Sequence, residues 1–261
     1  MRSLIQFIVF YILLFISVNV SAYETQFNLD CMNNSVIYST LGQRNINIAI
    51  SACSNELIQK LKPINSPQLI TKDAIKLILA MVISHNTAPY GSTTSKSIEY
   101  EELIKHDKLH CGTYAILMAY LVPDMKIHII GFDGGAVGNH AQIIYKDSSI
   151  ALLLDPTVST IAEVTYDSLL QGVKAKNVIT INPNPNNIPE IRDDFTNKVV
   201  SALRDGKYKS SSILYYYESL NHMLGKGPKD PYITPGGISW GSRRPIDSNN
   251  FPAHFEDLYH L

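Results

Sequence analysis

The chain has 261 residues, with 22 basic against 23 acidic side chains and a formal net charge of −1. So even a balance, with no basic stripe and no acidic tail, gives no sign of a nucleic-acid partner. The length is sufficient to bury a sizeable core.

The first 22 residues read as a signal peptide. Arg2 supplies the positive start, Leu4 to Val20 is mostly apolar, and Val20-Ser21-Ala22 offers small residues for cleavage after Ala22. An uncleaved anchor is the alternative, but the apolar run is short for a span of about 20 residues. Ile75 to Ile83 is apolar but shorter still, so no membrane partner is expected after cleavage. The body of the protein is therefore expected outside the cytoplasm, in the periplasm or the medium if the source is bacterial. About 240 residues remain, as one large domain or one domain with an added piece. Of the three cysteines, Cys31 and Cys53 lie close in sequence and are expected to pair in an oxidising compartment, which leaves Cys111 free.

Residues 23 to 56 mix polar and β-branched side chains, among them Ile46 to Ile50, and read as one or two short strands or loops. Leu57 to Leu61 suits a helical turn that ends at Pro63. Thr71 to Ser84 is a helix, with Thr71 as cap, Asp73 in the first turn and a wide apolar face from Ile75 to Val82. A loop with Pro89 and Gly91 follows, then a short helix over Ile98 to His106. Cys111 to Val122 is apolar nearly all round and predicts a buried helix that Pro123 ends. Lys126 to Phe132, His140 to Tyr145 and Ile150 to Asp155 read as strands. Further on, Tyr166 to Val173 suits a helix and Val178 to Ile181 a strand. Asn182 to Asn187 reads as a linker, Phe195 to Leu203 and Ser210 to Leu224 as helices, and the tail from Gly225 is rich in Pro and Gly.

Three residue types in this order suit acyl transfer through a thiolate. Cys111 opens a helix, where unpaired backbone N–H groups and the positive dipole end favour its anion. His140 and Asp155 lie on neighbouring strands. A symmetric turn centred on Asp147-Ser148 leaves them equidistant from its centre, directly opposite and on one face, with Cβ atoms about 4.5–5.5 Å apart. An imidazole there can handle the proton while the carboxylate holds the ring. The Cys111 amide can serve an oxyanion.

The segments Leu109-His110-Cys111-Gly112-Thr113-Tyr114-Ala115, Gly138-Asn139-His140-Ala141-Gln142-Ile143-Ile144-Tyr145 and Leu152-Leu153-Leu154-Asp155-Pro156-Thr157 resemble the transglutaminase-like superfamily of cysteine enzymes, within the wider papain-like fold. The resemblance covers roughly residues 71 to 160. It implies an α+β fold in which a helix carrying the cysteine packs on an antiparallel sheet carrying the histidine and aspartate. Nothing before residue 70 or after 175 is explained by the resemblance; the domain is expected over residues 23–185, with its core at about 71–160, and residues 186–261 as a helical extension and Pro/Gly-rich tail. The catalytic set would be Cys111, His140 and Asp155, acting on a peptide or protein substrate through a thioester, with hydrolysis favoured over amine-accepting cross-linking. The chain departs from the family in having His110 before the cysteine and Gln142 near the histidine. Asn86 is the candidate for the upstream oxyanion donor.

Other features weigh less. His106 and His110 stand one helical turn apart, a spacing metals use, but no second cluster accompanies them, so neither metal nor cofactor is expected. Gly237-Ile238-Ser239-Trp240-Gly241 fits a nucleophile-elbow pattern without the strand and helix that would frame it. The competing function is a transglutaminase-like binding or assembly module of the cell envelope that performs no catalysis.

Overall fold

A computed structural model describes residues 23–91, 99–133, 137–147, 150–165, 174–182, 190–208 and 213–217. The signal segment, the helix expected at 166–173, the linker after Asn182, the Gly237–Gly241 pattern and the C-terminal tail lie outside the described residues. No helix among the described residues is long and apolar enough to cross a membrane.

The architecture is mixed α and β. Strands β1 (Tyr23–Asn28), β2 (Ile127–Asp133), β3 (Asn139–Asp147), β4 (Ile150–Asp155), β5 (Thr160–Thr165), β6 (Asn177–Asn182) and β7 (Ile213–Tyr217) form one sheet in the order β1-β6-β5-β4-β3-β2-β7. Its pairings are antiparallel, except that β1 lies parallel to β6 at one edge. Five helices accompany it among the described residues: α1 (Gln43–Leu61), α2 (Lys72–Thr87), α3 (Tyr100–Leu103), α4 (Cys111–Leu121) and α5 (Glu190–Arg204).

Strand alternation sends side chains to two cores, as a period of two requires. Ile143 of β3, with Leu152 and Leu154 of β4, joins α1, α2 and α4 in the larger core. Ile144, Leu153, Ala162 and Val178 point the other way and meet Val199, Val200, Ala202 and Leu203 of α5. Helices therefore cover both faces of the sheet. The α4 sequence is apolar all round because it lies in the larger core, with Tyr114 through Ala119 buried. Thr71 caps α2 as expected, its side chain accepting the Ala74 amide hydrogen.

Two regions depart from the sequence reading. The segment expected as strands or loops over residues 23 to 56 opens with strand β1, but from Gln43 onward it is the 19-residue helix α1. The alternation of Ile46, Ile48 and Ile50 imitates a strand. The buried stripe is instead Asn45, Ile46, Ala49, Cys53, Leu57 and Leu61, at helical spacing and partly built from small or polar residues. The helix expected at Ser210 to Leu224 is overturned where it is described, because Ile213–Tyr217 is strand β7, paired with β2. Its β-branched and aromatic residues fit a pleated edge. With α5 on one face and β7 on the edge, residues 190–204 and 213–217 are part of the sheet's own structure. The Ala175 amide donates to the Leu203 carbonyl at 3.1 Å.

Cys31 and Cys53 form a disulfide, with Cα atoms 5.4 Å apart across a sequence separation of 22. It ties the turn after β1 to the middle of α1, and Glu56 of the same helix accepts the amide hydrogens of Asp30 and Cys31. Replacing the pair by Cys31→Ser and Cys53→Ala should lower the unfolding free energy by about 3 kcal/mol on the chain-entropy account. Guanidinium unfolding of wild type and variant would show it, and a loss below about 1 kcal/mol would count against a stabilising tie there.

Candidate active site

His140 is the second residue of β3, so its ring stands at the end of the ladder. Opposite it on β2 is Phe132, in the core that α5 covers. The His140 Nε2–H donates to Asp155 Oδ2 at 2.5 Å. Gln142 Nε2 donates to the same oxygen at 2.9 Å, and the Thr157 amide donates to Oδ1 at 3.0 Å. Both members of the pair are buried, His140 at 2% exposure and Asp155 at 1%. A carboxylate so deep is tolerable only because three donors, one of them a cationic ring, compensate it.

The register differs from the one expected. Asp147 pairs with Ile150 and Ile143 with Leu154, so the hairpin is centred one residue later than Asp147-Ser148. That moves each pairing by two residues. Asp155 therefore comes opposite Gln142, with His140 one diagonal step away. A shift of two preserves the face, so the histidine and the acid still meet.

Cys111 approaches from the other layer, at the first turn of α4. The cap of that helix is His110. Its Nδ1 accepts the Thr113 amide hydrogen at 3.4 Å, while Thr113 Oγ1 accepts the His110 amide hydrogen at 2.9 Å, a reciprocal capping box. This settles the use of His110, which caps α4 and also hydrogen-bonds the Cys111 sulfur. Cys111 as a residue is half-buried. Burial pushes its pKa up, but hydrogen bonds from His110 and His140, the His140 charge and the Ala141 amide outweigh that and lower it to about 6. Burial pushes His140 down, yet the Asp155 charge and hydrogen bond, with help from Cys111, raise it to about 10. With Nε2 held by Asp155, Nδ1 is the nitrogen left to serve the thiol. It is buried and has no hydrogen-bond partner among the described residues.

The surroundings hold four residues that sequence reasoning did not assign to the site. His85, at the end of the apolar face of α2, is buried and donates from Nδ1 to the Pro156 and Thr157 carbonyls, each at 3.1 Å. It thereby pins the turn after Asp155 to α2. Phe195 of α5 sets its ring edge-on to His140, with centroids 5.1 Å apart, and stacks on Tyr90 at 5.6 Å. Tyr208, buried against Phe132 at 4.9 Å, lies in the field of the same charges. Burial first, then Asp155 and Cys111, push its pKa up, while Gln142 pulls it down. A histidine within an apolar helical stripe was the available signal for His85. The aromatic residues gave none, because their role comes from tertiary placement.

Asn86, the expected oxyanion donor, gives an amide hydrogen to the Tyr38 hydroxyl at 2.7 Å. Among the described residues there is no group of three or more His, Cys, Asp or Glu side chains placed to hold a metal ion. The chain matches no protein-family model, no curated protein and no solved structure.

The charge states have a sign that can be checked. A lowered thiol pKa means that the thiolate is present above about 6 and is lost as pH falls through it, while the imidazolium persists until about 10. Iodoacetamide labelling of Cys111 should therefore rise with a midpoint near 6. In His140→Ala that midpoint should move toward the ordinary thiol value of about 8.5. A wild-type midpoint already at the ordinary value would rule out the ion pair.

Proposed function

We propose that this chain is an exported cysteine hydrolase or acyltransferase of transglutaminase-like type, acting on peptide or carboxamide bonds through Cys111, His140 and Asp155. One observation carries the reading above all: a buried His140–Asp155 pair at 2.5 Å whose second ring nitrogen is left unpartnered, with the half-buried Cys111 at a helix N-terminus beside it. The α4 helix, packed against a largely antiparallel sheet that carries the other two residues, agrees with the same family. The Cys31–Cys53 disulfide and the N-terminal sequence pattern support export.

In this mechanism the thiolate attacks the carbonyl carbon, and the carbonyl electron pair moves onto oxygen. The Cys111 amide, at the open end of α4, is one donor to that oxyanion. Collapse breaks the C–N bond, and the His140 proton passes to the departing amine. A thioester remains on Cys111. Water then enters, activated by the neutral imidazole, and releases the acid; an amine entering instead gives cross-linking. Asp155 holds the ring and stabilises its cation throughout, without itself taking a proton. Hydrolysis is the favoured outcome.

A non-catalytic envelope module is the second reading, and one observation favours it: Phe195 covers the His140 ring. The unpartnered Nδ1 of His140 and the lowered thiol pKa of Cys111 weigh against it, since a binding module needs neither.

Turnover of peptide amides, together with incorporation of a fluorescent primary amine, tests the proposal. Cys111→Ala should abolish both activities, and Asp155→Asn should lower kcat by at least about 100-fold while the fold is retained by circular dichroism. Equal turnover by wild type and Cys111→Ala, across a broad peptide-amide panel, would sink the enzyme reading.

A further inference from the structure

We propose that the Tyr90 hydroxyl is a further catalytic residue, the side-chain donor that receives the oxyanion formed at Cys111; the inference rests on the cysteine-enzyme reading above. Two placements bring Tyr90 to the site. Its backbone runs beside the residues that lead into α4: Tyr90 bridges Leu109 in parallel, the Leu109 amide donates to the Pro89 carbonyl at 2.9 Å, and the Gly91 amide donates to the Leu109 carbonyl at 2.9 Å. The nucleophile is only two residues further on. Its ring is then fixed from the other layer by Phe195, whose plane is tilted only 18° from it and whose edge touches His140. Tyr90 is thus held between the cysteine segment and the imidazole, yet it keeps 36% of its surface exposed, toward which a substrate carbonyl can come.

The chemistry of a phenol suits the place. Burial first, and then the negative charges of Cys111 and Asp155, push its pKa up. The group therefore stays protonated at neutral pH and offers an O–H. A donor of this kind strengthens as negative charge builds on the carbonyl oxygen, which is the condition for lowering a barrier instead of merely binding substrate. Asn86 has one amide hydrogen committed to Tyr38, and Tyr90 fills the role expected of it. The step balances without proton transfer to or from the tyrosine. The sulfur lone pair forms the S–C bond, the carbonyl π pair moves to oxygen, Tyr90 hydrogen-bonds that oxygen and keeps its proton. On collapse the C–N bond breaks as His140 protonates nitrogen.

Tyr90→Phe separates this role from packing, because it keeps the ring and its stack on Phe195 and deletes only the hydroxyl. In the full chain, kcat on a peptide amide should fall about 100-fold with KM changed by no more than roughly twofold. Alkylation of Cys111 by iodoacetamide should be unchanged, since displacement at a saturated carbon builds no oxyanion. A kcat within about threefold of wild type overturns the proposal, as does alkylation falling in step with kcat, which would make Tyr90 a support of the ion pair. Absence of Cys111-dependent turnover in the wild type overturns the underlying enzyme reading and this inference with it, whereas normal wild-type turnover with an indifferent Tyr90→Phe removes Tyr90 alone.

Discussion

The contact between His140 and Asp155 is the constraint on which the rest of the site depends. Either group alone, carrying charge at that depth, would cost several kcal/mol that nothing else in the core returns. Together they tolerate burial, and only because Gln142 and the Thr157 amide complete the carboxylate's hydrogen bonding. The strands cannot slide independently once this set is made. The His85 ring extends the restraint to α2 through the Pro156 and Thr157 carbonyls. Ser84, one residue earlier, donates to the Tyr114 carbonyl of α4 at 2.7 Å, and Tyr114 in turn donates to the Ala88 carbonyl. A line of hydrogen bonds thus runs from the acid, through α2, to the helix that presents the thiol.

The two faces of the sheet divide the work. The face packed with α1, α2 and α4 fixes where the sulfur stands. The face packed with α5 determines what surrounds the ring, since Phe195 lies against His140 and Tyr208 against Phe132. Because His140 is placed at the start of β3, the ring can be reached from both layers. Phe195 and Tyr208 thereby supply apolar cover beside the imidazolium and its counter-ion, and in a drier surrounding the same charges interact more strongly.

Much of the core was legible in the sequence because the signals there were local. Thr71 ahead of an apolar stripe, an all-apolar run opened by Cys111 and closed by Pro123, and two apolar segments flanking a polar turn all specify their elements without reference to distant residues. The misses have physical causes. In α1 the buried stripe includes Asn45, Ala49 and Cys53, which carry little hydrophobic signal, while the isoleucines between them alternate as in a strand. Strand β5, Thr160–Thr165, carries β-branched residues but no alternation, since Ile161 and Ala162 are adjacent, so its pattern gives no strand signal. Strand β7 reads as a helix in the sequence because its fate depends on a free sheet edge at β2. The hairpin centre lies one residue beyond the expected one, and the site survives because a pairing shift of two keeps side chains on their face. His110 has metal-ligand spacing to His106; its capping role becomes visible only with the helix start in place.

The difference in exposure among the three central residues bears on how such a site would operate. The ring and the acid are buried, and Cys111 is half-buried. A thiolate gains reactivity from accessibility, whereas an imidazolium–carboxylate pair gains strength from exclusion of water, so the two requirements oppose each other within a few ångströms. Placing the sulfur at a helix N-terminus resolves the conflict. Its charge is balanced by His110, the Ala141 amide and the open end of α4, as well as by the ring. The thiolate can therefore keep its charge without drawing water onto the His140–Asp155 pair. In the proposed reaction the carbonyl would arrive over the first turn of α4, on the side where Tyr90 is exposed.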